Sequence, residues 1–174
     1  MAILVLHMPQ GDVRTNLAAS RERGSLTRLP NVDQWLHDRV VETIAAQANG
    51  YVAYTNLGGH HTVCLVGDGR SRNPREVCPD LILSDPASFL VDHVVEVETE
   101  DSIRTPAVQR WIDIAHAIHR RGQFWILVPA ARSALAAQLC RQYGIPAKIG
   151  TWSADSQGVL VSWPAPLRAP AYRP

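Results

Sequence analysis

The segment that most restricts the fold is Gln123-Phe124-Trp125-Ile126-Leu127-Val128-Pro129. It is nearly continuously apolar yet far short of a membrane span, so it reads as a central strand covered on both faces. Its flanks agree with that. Ahead of it a helix is expected to start at Thr105 as N-cap, with Pro106 at the first helical position, where a missing N–H costs nothing. Ala107, Trp111, Ile114, Ala115 and Ile118 form its core stripe, Arg120 and Arg121 suit the negative end of its dipole, and Gly122 stops it. Behind the strand, residues 130 to 143 read as a second helix closed by Gly144, followed by closing strands at 145–152 and 159–163. Strand and helix alternating in this way indicate the α/β class with a right-handed crossover.

The first half has a different rhythm. Asn31 can cap a helix over residues 32 to 48, with Leu36, Val40 and Ile44 on one stripe, Val41 and Ala45 beside it and Asn49-Gly50 as the stop. Glu42 lies off that stripe. Residues 51–55 read as a strand, Leu57-Gly58-Gly59 as a turn and residues 61–66 as a second strand, with Gly67-Asp68-Gly69 closing a hairpin. The expected order is α, β, β, β, β, α, β, α, β: antiparallel hairpins first, then a βαβ unit, in a mixed sheet.

At 174 residues, 46% hydrophobic and 19% charged, the chain fits one soluble domain. Residues 1–30 read as a short strand and a basic arm (Arg14, Arg21, Arg23, Arg28), residues 31–163 as the domain, and residues 164–174 as a Pro-rich tail. Met1 to Leu6 is apolar but lacks the basic start of a signal peptide, and no run reaches the roughly 20 residues of a membrane span. Cys64, Cys78 and Cys140 are widely spaced without a CxxC pair, which argues against a disulfide framework and for a cytoplasmic setting. His60-His61 with Cys64 and Cys78 matches no tight zinc spacing. His93 at a strand start reads as structural, the alternative being contact with the metal site or a phosphate. His116 and His119, three apart on a helix, read as surface or partly buried rather than as ligands, and no P-loop, dinucleotide or nucleophile-elbow motif is present.

Two short runs carry the chemistry. Cys78-Pro79-Asp80-Leu81-Ile82-Leu83 is answered sixteen residues later by Val94-Val95-Glu96-Val97-Glu98-Thr99. Glu96 and Glu98 share a strand face, roughly 6.5 Å apart, with Val95, Val97 and Thr99 on the other. If the Asp80 strand lies alongside, three carboxylates converge, a set whose repulsion a hard cation such as Mg²⁺ or Mn²⁺ would relieve. The plainer reading is an ordinary strand whose acids face water. Arg70, Arg72 and Arg75 precede Asp80 in a loop. Sixteen of the seventeen basic residues are arginine, Lys148 being the exception, and arginine forks suit phosphate, although a biased composition explains the count as well.

A leading helix, a meander delivering Pro-Asp and then Glu-x-(Lys or acid), and a following helix, strand and helix form the order of the PD-(D/E)xK nucleases. The chain resembles this restriction-endonuclease-like superfamily over about residues 32 to 149. The resemblance implies a three-layer αβα core around a central mixed sheet, with Asp80 and Glu96 holding Mg²⁺ or Mn²⁺. Glu98 stands where most members carry a lysine; it would position the attacking water or add a ligand. Glu42 matches an additional acid of some resolvases, and Gln109 a supporting glutamine. The implied activity is metal-dependent DNA cleavage, with Arg70, Arg72, Arg75 and Arg104 on phosphate and a homodimer where both strands are cut. The alternative is a catalytically inactive member acting as a DNA-binding or assembly module, with Glu98 marking the lost chemistry.

Overall fold

The computed structural model describes residues 32–58, 63–66, 76–118 and 122–163. In chain order these form α1 (Val32–Gln47), β1 (Val52–Thr55), β2 (Leu65–Val66), β3 (Glu76–Val77), β4 (Leu81–Ser84) and β5 (Val91–Val97). Then come α2 (Thr105–Ile118), β6 (Gln123–Pro129), α3 (Ser133–Tyr143), β7 (Ala147–Asp155) and β8 (Gly158–Ser162). Six strands make one mixed sheet in the order β1-β4-β5-β6-β7-β8. The β5–β6 and β6–β7 pairs are parallel and the remaining pairs antiparallel. The described residues are thus α/β, with three helices on a six-stranded mixed sheet.

Alternation along the strands sorts the core onto two faces. Leu81, Leu83, Val95, Val97, Trp125 and Leu127 pack beneath Val40, Val41 and Ile44 of α1. Ile82, Val94, Phe124, Ile126 and Val128 pack against Val108, Trp111 and Ile114 of α2 and Ala136 and Cys140 of α3. Each such large apolar side chain contributes about 1.5–3 kcal/mol on burial. Because β4, β5 and β6 are covered on both sides, their runs lose the one-sided pattern of a half-exposed sheet.

The antiparallel half departs from expectation. β1 pairs with β4, Val52 opposite Ser84, and not with the next strand in sequence. The reason is burial: the Leu-Ile-Leu-Ser run of β4 is buried throughout and needs a hydrogen-bonding neighbour on each side. Among the described residues, the strand expected over 61–66 covers Leu65–Val66; it pairs with β3, an element the sequence reading lacks, in a separate two-stranded sheet. Contrary to the expectation of separate thiols, Cys64 and Cys78 at the end of that ladder are joined by a disulfide. The helix expected from residue 130, α3, begins at Ser133, after a 3-10 turn over Ala130–Arg132, and its C-cap Gly144 takes the left-handed φ of 64° that glycine tolerates. The N-terminal arm, the Pro-rich tail, Arg120 and Arg121, and the loop holding Arg70, Arg72 and Arg75 lie outside the described residues. Among the described residues no helix is long and apolar enough to cross a membrane.

Candidate functional site

The site grows out of the β4–β5 register. Leu81 faces Val95 and Ile82 faces Val94, which sets Asp80 opposite Glu96 where β4 begins and β5 finishes. Main-chain bonds lock the pair: the Asp80 N–H donates to Glu96 Oε1 at 3.1 Å and the Val97 N–H donates to Asp80 Oδ2 at 2.8 Å. Asn56 fixes the approach to Asp80. Its Nδ2 donates to the carbonyls of Val63 (2.7 Å) and Pro79 (2.6 Å), its Oδ1 accepts from the Val63 N–H at 3.0 Å, and its own N–H donates to the Asp80 carbonyl at 2.9 Å. Through these four bonds β1, the loop before β2 and the Pro79-Asp80 turn act as one unit.

Arg110 of α2 is the cation of the site. Its Nε donates to Glu96 Oε2 at 2.9 Å, while Nη2 reaches Glu96 Oε1 at 3.1 Å, Asp80 Oδ1 at 3.3 Å and the Cys78 carbonyl at 3.0 Å. One cationic nitrogen therefore sits in a cradle of three oxygens, two from carboxylates and one from main chain. A second positive group comes from α1. His37 Nε2 lies 3.2 Å from Asp80 Oδ2 and Nδ1 lies 3.1 Å from Asp38 Oδ1. With a carboxylate on each ring nitrogen, both nitrogens donate. Burial opposes that charge, but Asp80 and then Asp38 outweigh it and push the His37 pKa up to about 8.

Glu98 is arranged differently. Its Oε1 accepts from Trp111 Nε1 at 2.7 Å and its Oε2 from the Ser102 hydroxyl. Its main chain is held as well, the N–H on the Leu127 carbonyl at 2.8 Å and the carbonyl by Trp152 Nε1 at 3.0 Å. Burial raises the Glu98 pKa against those two side-chain donors. Burial and the neighbouring Asp80 carboxylate raise Glu96 further, with Arg110 opposing. Asp33, Gln34 and His37 from α1 and Thr99, Ser102 and Arg110 from the other side line the cleft above these acids, a space of about 210 Å³.

No family model, curated protein or solved structure matches this chain. The site is therefore read from its own geometry. Asp80 and Glu96 do come together, but Glu98 does not converge on a common point with them, because Trp111 and Ser102 hold its oxygens aside. Among the described residues, the ligand atoms of three such side chains gather within 4.8 Å only at Cys64, Glu76 and Cys78, two of which form the disulfide. The cradle around Arg110 Nη2 nevertheless has the chemistry of a hard-cation site. Asp80, Glu96 and the Cys78 carbonyl fit Mg²⁺ or Mn²⁺ as oxygen donors, and a cationic nitrogen already stands among them.

Two expected residues lie elsewhere. Glu42 is exposed on α1 and pairs with Arg39 at 3.0 Å, since five residues beyond His37 the helix has turned well away from the cleft. Gln109 is exposed and donates to Asp113, while its neighbour Arg110 faces the acids. Arg104 is exposed just before α2. His37 and Arg110 were missed in the sequence, yet each leaves a trace: His37 falls four and seven residues before Val41 and Ile44, and Arg110 four before Ile114. A polar residue in step with an apolar stripe was the available signal.

Proposed function

We propose that this protein is a metal-dependent DNA endonuclease of the PD-(D/E)xK kind, hydrolysing phosphodiester bonds. The observation that carries the reading is the three-oxygen cradle of Asp80, Glu96 and the Cys78 carbonyl, set where the β4 and β5 strands open onto a polar cleft. Strand order lends further support. A leading helix, an antiparallel β1-β4-β5 set bearing the acids, then α2 and a parallel β6, is the arrangement the resemblance implies for a restriction-endonuclease-like core.

When bound, Mg²⁺ or Mn²⁺ would supply an activated water and neutralise the charge developing on the leaving oxygen. Asp80 and Glu96 would hold it. Their tie to each other's strand fixes the carboxylates before substrate arrives, so little reorganisation is needed. His37, protonated at neutral pH, keeps Asp80 oriented and brings positive charge to the cleft wall. Arg104, with Arg70, Arg72 and Arg75 outside the described residues, would meet phosphates along the duplex and contribute salt-dependent affinity rather than sequence choice. A homodimer would place two such sites on opposite strands.

One observation favours the second reading, a non-catalytic DNA-binding or assembly module. Glu98, where a lysine or water-activating base is expected, has both oxygens engaged by Trp111 and Ser102. The only lysine is engaged elsewhere, with Lys148 Nζ donating to Gln123 Oε1 at 2.8 Å and lying over the Trp125 ring. Nicking of supercoiled plasmid and cutting of branched DNA with Mg²⁺ or Mn²⁺ decides between the two. Metal-dependent cutting that is lost in Asp80→Asn and Glu96→Gln supports the nuclease; retained DNA binding without cutting supports the module.

A further inference from the structure

We infer that Arg110 is the resident cation of the Asp80–Glu96 cradle and competes with a divalent metal ion for the same oxygens. This rests on the metal-site part of the nuclease reading and adds a property that reading does not contain: metal entry requires the guanidinium to leave.

The geometry carries the argument. Arg110 Nη2 touches Asp80 Oδ1, Glu96 Oε1 and the Cys78 carbonyl, and Nε takes the second Glu96 oxygen. Those are the donors a hard cation would use, so the two cannot be seated together. The cradle itself does not move easily: the Asp80 and Glu96 side chains are 9% and 2% exposed and each is bonded to the other's strand. Arg110 differs, since its side chain is 42% exposed and lines the cleft. It can therefore swing out on its flexible stem with the fold intact.

Electrostatics explain why a chain would keep such a group. Two buried carboxylates side by side are costly without a counter-charge, and breaking a buried pair by removing one partner is strongly destabilising. Arg110 offsets one of these two negative charges in the metal-free protein, at the cost of weakened metal affinity. A divalent ion replaces one positive charge with two in the same cradle, so occupancy depends on metal concentration rather than on folding.

The test is calorimetric titration of Mn²⁺ into the wild-type protein, Arg110→Gln and Asp80→Asn. The expected result is that Arg110→Gln binds Mn²⁺ about tenfold tighter or better, a change set by removal of the competitor, while Asp80→Asn binds none. Affinity in Arg110→Gln equal to or weaker than wild type overturns the proposal. Should that variant not fold, the Nε–H resonance of Arg110 in the wild-type protein, assigned by its loss in Arg110→Lys, gives the answer. It is expected to leave its hydrogen-bonded position as Mg²⁺ is added, and a resonance unmoved throughout overturns the idea. Plasmid nicking run in parallel separates the two claims. Tighter binding by Arg110→Gln without any nicking upholds the competition and removes the nuclease; nicking by wild type with no gain in Arg110→Gln removes the competition alone.

Discussion

Asp80 and Glu96 each anchor the other's strand: the Asp80 N–H donates to the Glu96 carboxylate, and the Asp80 carboxylate accepts from the N–H of Val97, next to Glu96. The two acids thus close the β4–β5 ladder at the end where the cleft opens. Substitutions here are best made isosterically, so that the loss of a carboxylate is not confused with lost register.

Asn56 should be the polar residue on which the site depends most for stability. It is buried, and its amide serves two carbonyls and one N–H. Asn56→Ala leaves those groups unsatisfied and is expected to cost about 2–4 kcal/mol. Urea unfolding would measure it, and a cost below about half a kcal/mol, the range of an ordinary surface substitution, would refute it.

Trp111 should matter through its indole N–H as well as its bulk. Trp111→Phe keeps a large ring in the α2-side core but removes the donor to Glu98, and is expected to cost about 2 kcal/mol from the charge-assisted bond. In Glu98→Met the same change should cost clearly less, because no carboxylate is left orphaned. Equal costs in both backgrounds would show that the bond contributes nothing.

His93 predicts an acid-side loss of stability. It is buried in β5, accepts from Trp125 Nε1 at 3.1 Å and lies 3.0 Å from the Tyr51 hydroxyl. Burial, with Lys148 adding to it, lowers its pKa to about 4. The folded state therefore refuses a proton that the unfolded chain accepts below about 6.5, so stability falls as pH drops from 6.5 towards 4 and levels off below. Between pH 7 and 5 the expected loss from this residue is about 1–2 kcal/mol. His93→Gln should flatten that part of the unfolding-versus-pH curve, and an unchanged curve would assign the loss to other groups.

The Cys64–Cys78 bond predicts thiol counts. Under denaturing, non-reducing conditions only Cys140 should react with iodoacetamide, and all three cysteines after reduction. Closing a 14-residue separation, the bond is expected to contribute about 2–3 kcal/mol to the β2–β3 region and the Pro79-Asp80 turn beside it. Mass spectrometry reads the count, and three reactive thiols without reductant would contradict the pairing.

What the sequence determined follows from local rules. The apolar run of β6 and the Thr105-Pro106 start and Gly144 stop of its flanking helices depend on residues within one turn or one strand, and they placed the chain among α/β folds with a mixed sheet. The acids at Asp80 and Glu96 were legible for the same reason, since period-two alternation assigns faces without knowledge of the partner strand. Only tertiary structure decided the rest. Whether β1 pairs with β2 or β4 depends on which strand must be flanked on both sides, and the cysteine pairing depends on a two-residue ladder with no sequence signature. Glu98 stays in the same cleft but does not join the Asp80–Glu96 pair, because Trp111 and Trp152, thirteen and fifty-four residues away, hold its side chain and main chain. His37 and Arg110 reach the Asp80–Glu96 pair because α1 and α2, packed on opposite faces of the sheet, each bring one of them to these acids. Long-range hydrogen bonds and charge pairing are set by packing geometry, and no local periodicity encodes them.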